Sequence, residues 1–253
     1  MPTAPIIAVN TAAESENKIH DDRVAAQYGF RGGLVPGVTV YGYLAAAVVD
    51  HFGEAWLERG AMDVRFSSPV YEGEEVHVAI EAHDGHAAAE IARRASGLAW
   101  LHDDPAPDAV AFTERPLPDP RPPAAHEVFQ PGTVLGTLTS RLDLAQSPMS
   151  APLDPAIGPR RCAQPAVVLA LANEILVRNA ELGPWIHAAS EVRNFRALHD
   201  GDEIRVRARV AECYERKGHE FIVLEVVILT VGTVATLVRH TAIWRPRALG
   251  STT

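Results

Sequence analysis

Two kinds of hydrophobic pattern follow one another along the chain, and the succession occurs twice. Val38–Phe52 is apolar almost without interruption, and a run of that length fits a buried helix better than a strand. A short loop bearing Gly53 and Gly60 follows, then period-2 runs at Asp63–Tyr71, Val76–Ala82 and Ala87–Leu101 that predict strands. The same grammar returns at Pro165–Asn179, whose proline suits a first helical turn, and then at Ser190–Leu198, Ile204–Tyr214, Phe221–Val231 and Thr233–Trp244. A helix followed by several antiparallel strands is an α+β layout, distinct from the βαβ rhythm of a parallel sheet. Helices that are apolar nearly all round require a sheet wrapped about them.

The return keeps register. A shift of 128 positions sets Val40 on Val168, Val49 on Val177, Ala61 on Ala189, Val64-Arg65 on Val192-Arg193, Gly73 on Gly201 and Val78 on Val206. A constant offset near half the chain length marks an internal duplication. Seven of the 19 prolines fall between Pro105 and Pro123, and proline lacks the amide that helices and central strands need. The expected organisation is a repeat over 1–112, a Pro-rich linker over 113–126 and a second repeat over 127–253.

Charge narrows the partners. Lys+Arg 23 against Asp+Glu 32 gives a net charge of -9, which disfavours nucleic acid because phosphate neutralisation supplies most of that affinity. Residues 1–124 carry 9 basic and 19 acidic side chains, whereas 125–253 carry 14 and 13, so an anion is better hosted by the second half. Arg160, Arg161, Arg193, Arg196, Arg216 and Lys217 form the candidate pool for that contact. The start of the chain lacks the basic flank and apolar core of a signal peptide. The apolar stretches Val38–Val49 and Ala166–Leu176 are shorter than a membrane span. Cys162 and Cys213 form no disulfide framework and no zinc spacing. A soluble cytoplasmic protein without membrane or metal partners is expected.

Common catalytic signatures are missing: there is no G-x-S-x-G and no H-E-x-x-H. Gly32–Gly37 (G-G-L-V-P-G) continues with Val38-Thr39 where a P-loop needs Lys-Ser/Thr. His83 and His86 flank an Asp84-Gly85 turn, and Lys217-Gly218-His219 marks another, so both read as hairpin tips. The unusual passage is Asn10–Tyr43. His20 stands there in a polar loop, Asp21-Asp22 are placed to cap a short helix over Arg23–Tyr28, and a Gly-rich turn delivers the chain to Gly37 at the start of the buried helix. The first amides of a helix lack internal partners and carry the positive end of its dipole. A glycine there lets a ligand oxygen approach, which is what an oxyanion hole requires.

This segment resembles the MaoC-like dehydratases, the R-specific enoyl-CoA hydratase family, whose motif runs approximately D-x-N-P-x-H-x-D, then G-F, then I-x-H-G. The matching positions are Ser15-Glu16-Asn17-Lys18-Ile19-His20-Asp21-Asp22, Gly29-Phe30 and Leu34-Val35-Pro36-Gly37, with F-x-x-P-V-x-x-G-E-x-V at Phe66–Val76. The resemblance implies a double hot dog fold, two repeats each with a long helix wrapped by an antiparallel sheet. For chemistry it reaches only the first repeat, since the shift of 128 carries His20 onto Pro148. It implies reversible hydration of an enoyl-CoA or dehydration of a 3-hydroxyacyl thioester, with CoA or carrier-protein pantetheine as part of the substrate and no separate cofactor. His20 takes the acid/base role, Asn17 the motif asparagine and Gly37 the oxyanion donor, while Val38, Tyr41 and Tyr43 line an acyl tunnel. Two positions depart from the pattern: Ser15 stands for the catalytic aspartate and Pro36 for a histidine. A serine is no carboxylate base, so Glu14 or Glu16 would have to swing in from the opposite face of an extended segment. A hot-dog acyl-CoA thioesterase and a non-catalytic acyl-thioester binder or partner subunit stay open beside the lyase, as does homodimer formation.

Overall fold

The structure, a computed structural model, describes residues 5–146 and 162–249. The first repeat comprises β1 (Ile6–Ile7), α1 (Asp22–Ala26), α2 (Gly37–Phe52), α3 (Ala55–Arg59), β2 (Gly60–Phe66), β3 (Glu75–Val76), β4 (Val78–His83), β5 (His86–Ile91) and β6 (Ala95–Leu101). The second comprises β7 (Leu138–Arg141), α4 (Pro165–Asn179), β8 (Ile186–Asn194), β9 (Glu203–Arg216), β10 (His219–Thr230) and β11 (Thr233–Arg245). Among the described residues nine strands form one antiparallel sheet in the order β4-β5-β6-β2-β8-β11-β10-β9-β7, and β1 pairs separately with β3. Helix α2 lies against β4, β5, β6 and β8, α4 lies against β9 and β11, and the helices pack on each other. One apolar core runs through both repeats. This is the double hot dog.

The duplication is written into the hydrogen bonds. Strands β2 and β8 join the repeats, and their ladder is centred on Asp63↔Glu191, partners 128 positions apart. On either side, Ala61↔Arg193 and Arg65↔Ala189 exchange equivalent residues, so a local two-fold axis passes between Asp63 and Glu191. Facing carboxylates repel; Arg193 lies diagonally opposite, pairs with Asp63 at 2.8 Å and stacks on Trp100. Farther out, the Val35 amide donates to the Val70 carbonyl (2.8 Å) as Ala163 donates to Leu198 (2.7 Å). Gly73 and Gly201 both take positive φ, 72° and 83°, where their amides donate to Ala8 and Leu142. For that last pair the offset is 134 rather than 128, so between these anchors and the helix the second repeat is six residues shorter.

Several strand expectations need correction: Ser190–Leu198 is found as Ile186–Asn194, and Val76–Ala82 is divided between β3 and β4. Asp63–Tyr71 ends as a sheet strand at Phe66, because Val70 and Tyr71 turn away to pair with Val35 and Leu34 beside the start of α2. Ala87–Leu101 is two strands, split by a turn in which Arg93 adopts φ 62°. The Pro-rich segment is packed: the Phe112 side chain joins Val227, Leu229 and Val234, the Ala124 amide donates to the Glu181 carbonyl, and the Glu181 amide donates to the Pro122 carbonyl.

Leu44 on α2 is fully buried in the shared core. Leu44→Ala is expected to remove about 2–5 kcal/mol of stability, seen as a lower urea midpoint in a single transition. A biphasic curve with an unshifted second step would show the two cores to be independent.

Candidate functional site

The loop that carries His20 is held by its own polar side chains. Asn17 caps the single 3₁₀ turn Lys18–His20, accepting from the Ile19 amide. Asp21 caps α1 by accepting from Arg23 and Val24 at 2.9 and 3.0 Å. The next residue, Asp22, accepts from the Gly33 amide at 2.7 Å. Gly33 runs so close to the loop that an added Cβ would lie 2.1 Å from the His20 carbonyl oxygen, which accounts for the glycine. The Leu34 amide donates back to Ile19, and His20 Nδ1 meets the Leu34 carbonyl at 2.6 Å.

That bond fixes the tautomer. Since a carbonyl only accepts, Nδ1 carries the hydrogen and Nε2 presents a lone pair. Asn17 Nδ2 lies 3.3 Å from Nε2. The asparagine cannot turn over, because its Oδ1 accepts from the Trp185 amide (3.1 Å) while its Nδ2 donates to the Trp185 carbonyl (2.9 Å). The first repeat's histidine is therefore set by backbone of the second. Burial lowers the His20 pKa below the ordinary imidazole value, the Leu34 carbonyl offsetting part of the effect. At neutral pH the ring is an uncharged base.

Helix α2 begins at Gly37 behind Pro36, with no side-chain cap. His20 and Gly37 border the same cavity of about 250 Å³ at the seam between the repeats. Val40, Phe66 and Pro69 give it apolar walls from the first repeat, and Trp185, Ile186 and Ile243 do so from the second. Among the described residues no carboxylate lines it.

Of the residues expected from sequence, His20, Asn17 and Gly37 thus come together, and the others do not. Ser15 donates to the Asn17 carbonyl at 3.3 Å and does not border the cavity. Glu16 points outward into a two-point pair with Arg121 at 2.8 and 3.1 Å, so the linker arginine holds it away from His20. Val38, Tyr41 and Tyr43 are absent from the cavity wall, to which α2 contributes Gly37 and Val40. Tyr41 is buried toward α4, and the Tyr43 hydroxyl accepts from the Val9 amide at 3.1 Å. Arg193 is engaged with Asp63; Arg160, Arg161 and Pro148 lie outside the described residues. The Lys217-Gly218 turn is a hairpin tip, with φ 55° and 75°, yet His219 beside it borders the cavity.

Sequence reasoning passed over His187 and Asn173, both at the cavity from the second repeat. Strand β8 carries a bulge at Ala188, since Thr241 and Ala242 face Ala189 and His187. The extra residue reverses the inward alternation set by Asn194, Val192 and Ser190 and turns His187 inward. His187 Nε2 lies 2.8 Å from Ser190 Oγ, which lies 3.2 Å from His240 Nδ1. Burial first, then the neighbouring His240, hold the His187 pKa well below 6.5, against a smaller opposing pull from the Ala189 carbonyl. Burial alone takes His240 down to about 3.

Residues 14–97 match the MaoC like domain family model. Among solved structures, a MaoC domain protein from Chloroflexus aurantiacus J-10-fl superposes with a TM-score of 0.67 at 11% identity, covering 98% of this chain and 95% of that one. RV0216 from Mycobacterium tuberculosis, a double hotdog protein, gives 0.62 at 14% identity, covering 96% and 95%. Acyl-CoA thioesterase II TesB2 from Mycobacterium marinum gives 0.51 at 14%, covering 87% and 93%. At these identities the likeness is one of fold. No curated protein sequence matches the chain. Among the described residues no helix is long and apolar enough to cross a membrane.

The buried histidines make stability depend on pH. Both are neutral when folded and charge below pH 6.5 when unfolded, so the unfolded chain binds more protons and stability falls as pH drops from 6.5 toward 3. Each contributes up to about 1.4 kcal/mol per pH unit in that window. The melting temperature is expected to decline between pH 7.5 and 5.5, and His240→Gln to flatten the decline. An unchanged slope in that variant would count against a neutral His240.

Proposed function

With residues 14–97 a MaoC-like domain in a double hot dog chain, we propose that the protein is a MaoC-like lyase acting on acyl thioesters, interconverting a trans-2-enoyl thioester and its 3-hydroxyacyl hydrate. One observation carries the reading: the His20 ring, with its unprotonated Nε2, and the uncapped start of α2 border a single largely apolar cavity. The thioester oxygen would sit at the Gly37 amide, and the acyl chain along Val40 and Phe66.

One imidazole suffices for the proton traffic. In hydration, water attacks C3 as Nε2 takes one of its protons, and the electron pair of the double bond moves onto the thioester oxygen at the Gly37 amide. The imidazolium then returns that proton to C2, restoring the carbonyl and the neutral ring. Dehydration is the reverse. The low pKa of His20 keeps the base free at neutral pH, and the helix dipole favours the developing oxyanion. Asn17, pinned by Trp185, positions the ring.

A second reading, thioester hydrolysis, is favoured by the lack of a cavity carboxylate among the described residues. The same histidine could direct water at the carbonyl carbon, with thiolate leaving.

Incubation with crotonyl-CoA separates the two. Loss of enone absorbance without free thiol is expected; thiol release would transfer the assignment to the esterase, and silence in both with acyl-CoA thermal stabilisation would leave a binder. His20→Ala is expected to cut turnover by about 10²–10⁴-fold. The kcat/KM profile should fall on the acid side with a midpoint below 6.5, since protonation removes the base. A midpoint above 6.5 would contradict that assignment.

A further inference from the structure

We propose that His187 is a substrate-contacting residue, its Nδ1–H joining the Gly37 amide as the second donor to the thioester oxygen. This rests on the acyl-thioester reading above, and makes the second repeat a direct participant in the site.

His187 is only 6% exposed. Its Nε2 is engaged by Ser190, while its buried Nδ1 makes no direct hydrogen bond, the Ala189 carbonyl exerting only a lesser pull on the ring. A Cβ built on Gly37 would lie 2.9 Å from that Nδ1 and from His187 Cβ. The imidazole is thus packed against the first residue of α2, which borders the same cavity. Any larger residue at 37 would displace it.

The proton positions follow from the polar chain behind it. Ser190 Oγ bridges His187 Nε2 and His240 Nδ1, and a hydroxyl donates one hydrogen. Of three arrangements that satisfy both bridges, the one in which both rings donate to Ser190 Oγ leaves the buried hydroxyl hydrogen without an acceptor among the described bonds, and two remain. In the first, His240 Nδ1–H donates to Ser190, Ser190 donates to His187 Nε2, and the free hydrogen is on His187 Nδ1. In the second every proton is reversed, and the free hydrogen is on His240 Nε2. That nitrogen is wholly buried and partnerless, in a residue with no solvent exposure. An orphaned N–H is costly in a dry interior, whereas one on a ring that borders a cavity is within reach of an entering ligand oxygen. The first arrangement is favoured, and it leaves a donor waiting beside Gly37.

A neutral imidazole in this position polarises the carbonyl without surrendering its proton, as a preorganised donor does. It adds no charge, so its bond strengthens mainly when negative charge reaches the oxygen.

His187→Leu is expected to lower kcat on crotonyl-CoA by about 10²–10³-fold with little change in KM, and His187→Gln, which keeps an N–H donor, to recover part of the loss. Bound hexadienoyl-CoA should show a red-shifted band in the unmodified protein and a smaller shift in His187→Leu. If the unmodified protein turns over crotonyl-CoA and both variants retain kcat and the band shift, this role is overturned while the lyase reading stands. If the unmodified protein neither turns over nor shifts either thioester, the lyase reading itself has failed, and the role falls with it. Should the variants not fold, nitrogen-15 imidazole spectra of the unmodified chain decide: the Nδ1–H form at His187 is expected, and the Nε2–H form would overturn the proposal.

Discussion

The ladder between β2 and β8 is the contact from which the candidate site descends. Either strand alone would present an open edge of unpaired amides and carbonyls; paired, they close two sheets into one and set the walls of one repeat against the helix of the other. Its centring on Asp63 and Glu191 sets the register of β8 on both sides of that pair. From that register, Ser190 faces inward, and one bulge brings His187 to the first turn of α2. The cost of two facing carboxylates at the axis is offset by Arg193, which also covers the Trp100 ring.

Dryness shapes the chemistry. Most groups at the seam are neutral polar ones held by backbone: His20 by the Leu34 carbonyl, Asn17 by both polar atoms of the Trp185 peptide. A buried charge would need a partner that the apolar walls do not offer. That explains why Glu16 is found outside with Arg121 rather than beside the imidazole. A carboxylate reaching His20 from position 16 would have to give up that pair and then be desolvated. The positive end of the helix and a neutral base are what this interior sustains without such a penalty.

The helices, the offset and the hairpin tips at Asp84-Gly85 and Lys217-Gly218 were legible because each rests on local chemistry: an unbroken apolar run, an acid-glycine turn, a left-handed glycine. His20 and Gly37 were legible through spacing within one loop and one helix start. What stayed hidden depends on contacts distant in sequence or on a change of phase. Arg93 takes a turn conformation that its residue type does not advertise. The bulge at Ala188 reverses an alternation that, read from Asn194 backward, places His187 outside. Tyr41 and Tyr43 fit the expected tunnel by residue type, yet Tyr41 turns toward α4 and the Tyr43 hydroxyl toward Val9, which leaves that wall to Val40. Asn17 could be picked out as a motif position, but nothing in the sequence ties it to Trp185.

The six-residue difference between the repeats has a consequence for how such a chain can change. In a symmetric dimer every substitution appears twice, so a residue that improves one copy of a cleft must also be tolerated in the other. Fusion in tandem lifts that coupling. With the histidine-bearing loop confined to the longer half, the shorter half is free to accumulate side chains such as His187 and Asn173 that would have no place in a self-complementary pair. Among the described residues one such cleft draws on both repeats, and its asymmetry becomes heritable.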